Sequence, residues 1–302
     1  MKVLIVCSYN SGKVSPFILD QVFELKKLNV CIDFYLIKGK GILGYLSNLL
    51  YYYKKIKDFD PDLIHAHFGL SGFFASLQFF RPVVVTFHGS DINVYRNRLI
   101  SMLAIKMSNR SIFVSNQLRD IVNFKRGIVI PCGVDIELFK PIDKIKARNL
   151  MNLDLDSKLV LFSSSFDRSV KNPILAIRSV DLLEDVRLIE LKDFSRQEVS
   201  LLMNSVDVCL LTSFSEGSPQ FIKEAICCDS IVVSTRVGDI QERFKGVNGI
   251  FFCEFDFDSC SKAIFSALNF DRSLLVNREF IRNSLDNRKI AKELFNVYNL
   301  LV

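Results

Sequence analysis

The sequence predicts an α/β protein made of two successive doubly wound halves, each a parallel sheet covered by helices on both faces. Three observations carry this. Short apolar runs alternate with longer segments of helical spacing along the whole chain. The runs themselves, such as "KVLIVCS" and "PVVVTFHG", are almost continuously apolar, as strands buried on both faces are. The alternation pauses once, at "IPCGVDIELFKPIDK" (130–144), and then restarts.

In the first half, strands are expected at 2–8, 30–37, 63–68, 82–89, 110–115 and 127–133. In the second they are expected at 158–165, 186–191, 206–213, 230–235 and 249–254. The boundary is placed near 140, giving domains 1–140 and 141–302. A chain of 302 residues fits two domains of ordinary size, about 100–200 residues each.

Composition narrows the class. Hydrophobic residues are 49% and charged residues 24%, which is globular and not disordered. No apolar segment reaches the roughly 20 residues of a spanning helix. The first residues read as a strand and not as a secretion signal, so a cytoplasmic protein with reduced cysteines is expected. The eight cysteines show no Cys-x-x-Cys spacing, and His65, His67 and His88 form no HExxH motif, so no metal site is expected. The net charge of +6 is uneven. Residues 1–141 carry 18 Lys/Arg against 10 Asp/Glu, a net +8, and the remaining 21 against 23 leave −2. A basic first half suggests an anionic partner such as a phospholipid surface or a lipid-linked phosphate. The plain alternative is a solvated basic face. Nucleic acid is disfavoured because no recognition motif accompanies the charge.

Ligands of open α/β sheets bind beyond the carboxyl ends of the strands. The loops there deserve inspection in chain order. After the first strand, Ser11-Gly12 makes a small turn ahead of a helix near Ser15-Pro16, which can bring backbone N–H groups to an anion. Next comes "GILGYLSNLLYYYKKIKDF" (41–59), aromatic and basic, which reads either as an amphipathic helix on an anionic membrane or as a core helix with a basic outer face. "HGSD" places His88, Gly89 and Asp91 at a strand end, where they can meet a phosphate or a sugar hydroxyl. "DRSVKNP" sets Arg168 and Lys171 before a helix that starts near Asn172-Pro173, a pattern suited to a diphosphate.

The densest signal is "SEGSPQFIKEA" (215–225). Glu216 precedes a turn of Gly217, Ser218 and Pro219. The N–H groups of Gln220, Phe221 and Ile222 then fall in the first turn of a helix, and Glu224 lies one turn further. Two carboxylates flanking a helix start suit a ligand with hydroxyls at each end and an anion between. A nucleotide sugar has that layout.

This stretch resembles the signature of the family 4 retaining glycosyltransferases, group 1, which have the GT-B fold. The resemblance extends to "DLIHAHFG" (62–69), "TFHGSDI" (86–92), "IPCGVDIELFKP" (130–141) and "DRSVKNPILAI" (167–177), in order and over most of the chain. It implies two Rossmann-like domains facing a cleft, an acceptor-binding 1–140 and a nucleotide-sugar-binding 141–302. The implied catalytic set is His88, Glu216, Lys171 and Arg168. Donor contact would fall to Gly12, Arg168, Lys171, Asn172, Glu216, Gly217, Ser218, Pro219, Gln220, Phe221, Ile222 and Glu224. The acceptor or sugar region would be Ser11, His88, Gly89 and Asp91. The family's arginine lies nearer Phe166 than Arg168 does, its paired glycines are absent at Ser11-Gly12, and the loop "KDFSRQE" (192–198) is short, with Lys192 to Phe194 near the base.

The implied reaction is sugar transfer from a nucleotide diphosphate sugar, a UDP-sugar being favoured. The acceptor would be lipid-linked or a saccharide, in cell-surface polysaccharide or glycolipid synthesis. No cofactor or metal is implied, and peripheral contact with the inner face of the plasma membrane is expected. A non-catalytic nucleotide-sugar-binding or scaffolding relative is the first alternative. An epimerase or a glycogen-synthase-type enzyme on the same fold is the second.

Overall fold

All eleven expected strands form, each at or inside the limits of its apolar run. The computed structural model describes residues 1–302. In chain order the strands are β1 (Lys2–Ser8), β2 (Cys31–Ile37), β3 (Leu63–His67), β4 (Val83–Phe87), β5 (Arg110–Phe113), β6 (Ile128–Val129), β7 (Lys158–Phe162), β8 (Val186–Glu190), β9 (Val208–Leu211), β10 (Val232–Thr235) and β11 (Ile250–Cys253). They build two wholly parallel sheets, ordered β2-β1-β3-β4-β5-β6 and β11-β10-β9-β7-β8.

The two sheets share one topology. In each, the chain starts near the middle, winds one strand to one side, then returns and winds the rest to the other. The direction of winding therefore reverses between β1 and β3 and between β7 and β9. Loops leaving two such neighbours diverge, and the crevice between them is where α/β sheets bind ligands.

Alternation along each strand divides the core. On β1, Leu4 and Val6 face a cluster with Ile64, Ala66 and Val85, while Val3, Ile5 and Cys7 face another with Leu63, Val84 and Ile112. On β7, Leu159 and Leu161 face one side and Val160 and Phe162 the other. Both faces are covered, which is why the interior positions of these strands are apolar without alternation. All eight cysteines are free, and six of them are buried.

The domain boundary needs one correction. The chain divides into Met1–Gly133 with Asn287–Val302, and Val134–Asp286. The last helix, Asn287–Asn299, thus belongs to the first unit and not to the second, where the boundary near 140 put it. Its Ile290, Ala291, Leu294, Val297 and Tyr298 form one apolar stripe. That stripe packs with Ile18, Val22 and Leu25 of the helix Pro16–Lys27 and with Val3 and Ile5 of β1. Helical periodicity reveals such a stripe but says nothing of which sheet it covers. The basic stretch 41–59 also differs from a single helix. It forms two, Gly41–Leu46 and Leu49–Phe59, separated where the Asn48 side chain donates to the carbonyls of Lys38 and Gly44 at 2.8 and 2.7 Å.

Leu294→Ala removes a buried side chain from this seam and is expected to destabilise the first unit by about 2–4 kcal/mol. Hydrogen exchange checks it: β1 and β3 should lose protection while β7–β11 keep theirs, and the reverse pattern would place the helix with the second unit.

Candidate functional site

The second unit gathers its functional groups where β7 and β9 part. Past β7 the chain runs through Arg168 into a single 3₁₀ turn, Ser169–Lys171, and Pro173 opens the next helix, Pro173–Asp181. Asn172 makes the corner with φ +52°, a left-handed conformation that Asn tolerates better than most residues. Past β9 the chain carries Thr212, Ser213 and Glu216. Three hydrogen bonds tie these loops together. Thr212 Oγ1 donates to the carbonyls of Lys171 and Asn172, both at 2.9 Å, and the N–H of Phe214 donates to the carbonyl of Val170 at 3.0 Å.

The result is a placed ion pair. Lys171 Nζ lies 2.5 Å from Glu216 Oε1, and Ser213 Oγ donates to the same oxygen at 2.7 Å. Both charged side chains are about five-sixths buried, with exposures of 16% and 15%. In such a setting the pair interacts more strongly than a surface pair does. A lysine held by one carboxylate and partly shielded from water can exchange that partner for a phosphate oxygen.

The turn after Glu216 is braced from β10. Thr235 Oγ1 donates to the carbonyl of Ser213 at 2.8 Å, and Ser218 Oγ donates to Asp239 Oδ2 at 2.9 Å. Asp239 also takes Arg243 Nε at 2.5 Å. Gly238 packs against this turn with φ +59°, and a Cβ there would stand 3.1 Å from the Gly217 carbonyl oxygen, so a side chain would be both strained and crowded. Pro219 leads into the helix Gln220–Cys227. Phe221 and Ile222 turn their side chains into the core, leaving backbone N–H groups as their means of contact.

Glu224 lies one turn in and is nearly buried, at 7% exposure. Arg196 Nη1 reaches its Oε1 at 3.2 Å, with the guanidinium over the Phe139 ring at 5.1 Å. Arg196 opens the helix Arg196–Ser205, fixed by a capping box of Ser195 and Glu198. It sits in the short loop "KDFSRQE", two residues past Lys192–Phe194, where base contact was expected. Arg168 is not brought to Glu216: it stays on an exposed turn with no side-chain partner, and Phe166 occupies the inner position.

In the first unit the groups lie past β1, β3 and β4. Gly12 makes its turn with φ +74° and its N–H bonded to the Tyr9 carbonyl, while Ser11 Oγ donates to the carbonyl of Lys13. The loop is anchored by Asn10, which exchanges two hydrogen bonds with the backbone of Gly39 at 2.8 and 2.9 Å. Beyond β4, His88 sits between Phe17 and Phe68, at ring distances of 4.7 and 4.6 Å. Its Nε2 lies 3.0 Å from His67 Nδ1. Phe68 holds φ +71°, a strained conformation for a side chain of that size, kept in place by the ring contact and by its N–H bond to Thr86.

Asp91 has a different task from meeting a ligand. Its carboxylate is turned inward at 5% exposure and accepts from the N–H groups of His88, Gly89 and Gly69 at 2.8–3.2 Å. It shapes the turn that carries His88 and Gly89. Burial pushes its pKa up to about 6, against the pull of those N–H donors.

Behind His88 lie the two histidines of the "DLIHAHFG" stretch, to which the sequence assigned no role. His65 and His67 alternate on β3 and so share a face, with ring centroids 4.4 Å apart. His65 bonds Tyr298 Oη through Nδ1 at 2.6 Å and Thr86 Oγ1 through Nε2 at 2.8 Å. Burial holds both rings neutral, lowering His67 to about 3 and His65 well below its usual value. The three histidines do not make a metal-binding set.

The model of "Glycosyltransferase Family 4" matches residues 7–138, and that of "Glycosyl transferases group 1" matches residues 143–269. TuaC of Bacillus subtilis, named as a teichuronic acid biosynthesis glycosyltransferase, is 28% identical over 226 residues, 63% of this chain and 57% of its own. A D-inositol 3-phosphate glycosyltransferase of Mycobacterium marinum is 23% identical over 257 residues, 67% of this chain and 54% of its own. The chain thus spans little more than half the length of these two relatives. Among solved structures, Anabaena HepE in complex with UDP and glucose superposes with a TM-score of 0.78 at 18% identity, over 100% of both chains.

The buried neutral histidines set a pH dependence. An unfolded histidine takes a proton near pH 6.5, and His67 in the fold does so only near 3, so unfolding binds protons between those values. Stability is full above 6.5 and falls as pH drops, by about 1.4 kcal/mol per unit for each such histidine, while Asp91 offsets part of it between 3.8 and 6. Urea unfolding at pH 7 and pH 5 should show the loss, with a shallower slope for His67→Asn. An unchanged slope in that variant would contradict the assignment.

Proposed function

Because the chain belongs to the family 4, group 1 glycosyltransferases, of GT-B fold, we propose that it transfers a sugar from a nucleotide diphosphate sugar to a lipid-linked or saccharide acceptor, in cell-surface polysaccharide or glycolipid synthesis. The observation that carries the reading is the Lys171–Glu216 pair beside the first turn of the helix Gln220–Cys227. Lys171 and the helix N–H groups answer to the diphosphate, and they stabilise it as it leaves. Arg168 lies on the same approach as an exposed cation. Glu216 accepts from sugar hydroxyls and orients the ring. Glu224, steadied by Arg196, takes the ribose diol. His88, Gly89 and Ser11 are assigned to sugar and acceptor contact.

A UDP-sugar is the favoured donor. Its support is the likeness in fold to HepE, whose solved structures hold UDP and UDP-glucose. The cell-surface role is supported by the likeness to TuaC. Retention of anomeric configuration and independence from metal belong to the same reading, and carboxylates aimed at hydroxyls leave the phosphate charge to Lys171 and backbone dipoles. The acceptor side has its own support. Leu43 and Leu50 are each 83% exposed, and the helix that carries Leu50 also exposes Lys54 and Lys57, apolar and basic groups suited to an anionic bilayer. No helix is long and apolar enough to cross one.

Release of nucleoside diphosphate on donor and acceptor tests the site. Glu216→Gln and Lys171→Met should each lower turnover by about 10²–10³-fold while the far-ultraviolet circular dichroism stays that of the folded wild type, and EDTA should leave the rate unchanged. Rates near wild type in both variants would sink the assignment. For the membrane side, vesicles containing anionic phospholipid should float the wild type, and Leu43→Glu with Leu50→Glu should stay in solution. Equal flotation of both proteins would refute that surface.

A further inference from the structure

The first unit has a cavity at the opposite end of its sheet from His88. It lies by the amino ends of β5 and β6 and has a volume of about 580 Å³. That is within the range of about 300–1,000 Å³ common for small-molecule sites. Three cations line it, Lys106, Arg110 and Arg126, with the polar side chains of Ser108, Asn109 and Ser111, and no carboxylate is among the lining residues. On β4 and β5 the pairing Val84↔Arg110 against Phe87↔Phe113 shows the separation: Arg110 begins its strand, whereas His88 follows the end of its neighbour.

No acidic side chain pairs with Lys106, Arg110 or Arg126, and all three stand exposed at the cavity. Lys106 lies in the last turn of the helix Tyr95–Met107, where the carbonyl dipoles favour a cation by themselves. Arg110 and Arg126 have no such reason to converge there. Arg110 is steadied by an Nη1 donation to the carbonyl of Asn109 at 2.9 Å, and the hydroxyls of Ser108 and Ser111 lie 3.2 Å apart on the floor. Like charges collected within a Debye length, about 8–10 Å, repel one another unless an anion sits among them. Two guanidinium forks, an ammonium and two hydroxyls match the oxygens of a phosphate. Ile105, Phe124 and Ile128 add an apolar wall that a bare phosphate would not touch.

We propose that this cavity binds a phosphate-bearing ligand, separately from the site past β7 and β9. The charge recognises the phosphate and the apolar wall recognises what it is attached to. The ligand comes either free in solution or as a phospholipid headgroup.

The test uses the full chain with ¹³C-labelled isoleucine δ1 methyl groups. Ile105 and Ile128 report on this cavity, and Ile222 reports on the helix after Glu216. Pyrophosphate is titrated in one arm, and vesicles containing phosphatidylglycerol are added in the other. Saturable shifts of Ile105 and Ile128 with pyrophosphate support a soluble ligand, and shifts with vesicles alone support a headgroup. In either case the triple variant K106Q/R110Q/R126Q should bind at least tenfold more weakly at these methyls while the Ile222 response persists. An Ile222 methyl that never responds counts against the donor site and leaves this proposal standing. Ile105 and Ile128 methyls that stay fixed in both arms, or that shift equally in the triple variant, overturn it. Retention of the remaining methyl spectrum shows that the variant is folded.

Discussion

The reversal of winding between β7 and β9 is the constraint on which the second unit's site depends. Because β7 passes to β8 on one side and β9 to β10 on the other, their loops leave in opposite directions and open a crevice. Lys171 enters it from one loop and Glu216 from the other, 45 residues apart in sequence. Thr212 and the N–H of Phe214 fasten the loops so that the two charges meet. A largely buried charge is costly without a partner, so the pair also holds the two loops in one arrangement. A ligand that offers Lys171 phosphate oxygens and Glu216 hydroxyls replaces each partner by another of the same kind.

The first unit repeats the topology with other chemistry. Its reversal lies between β1 and β3, and the loops leaving those strands and β4 carry Ser11, Gly12, Phe68 and His88. Asp91 is used on backbone N–H groups, and two histidines behind His88 are kept neutral by burial. Tyr298, from the last helix, bonds His65, so the C-terminal segment bears on the ring stack that backs His88. That gives the return of the chain to the first unit a purpose beyond covering a sheet face.

Much of this was legible in the residues. The strands were, because strands buried on both faces read as short, largely apolar runs, here set between longer segments of helical spacing. The turn at Glu216 was, because Gly-Ser-Pro before a helix admits few conformations. What escaped was pairing at long range. Arg196 sits in a loop that reads as merely short, and only the fold shows it reaching Glu224 and stacking on Phe139. His65 and His67 alternate visibly, yet alternation on a buried strand does not tell a network from a packed core. Arg168 is close to Lys171 in sequence, yet it stands exposed before the 3₁₀ turn while Lys171 is largely buried against Glu216. The last helix was misplaced because its stripe could cover either sheet.

Calorimetry of UDP and UDP-glucose binding to the wild type, Lys171→Ala and Glu216→Ala tests the central claim most directly. If Lys171 holds the diphosphate and Glu216 the sugar, Lys171→Ala weakens both ligands by a similar factor. Glu216→Ala then keeps UDP as tight as the wild type or tighter, its lysine having been released, and loses affinity for UDP-glucose alone. UDP binding that is indifferent to Lys171, or UDP-glucose binding that is indifferent to Glu216, would contradict the account.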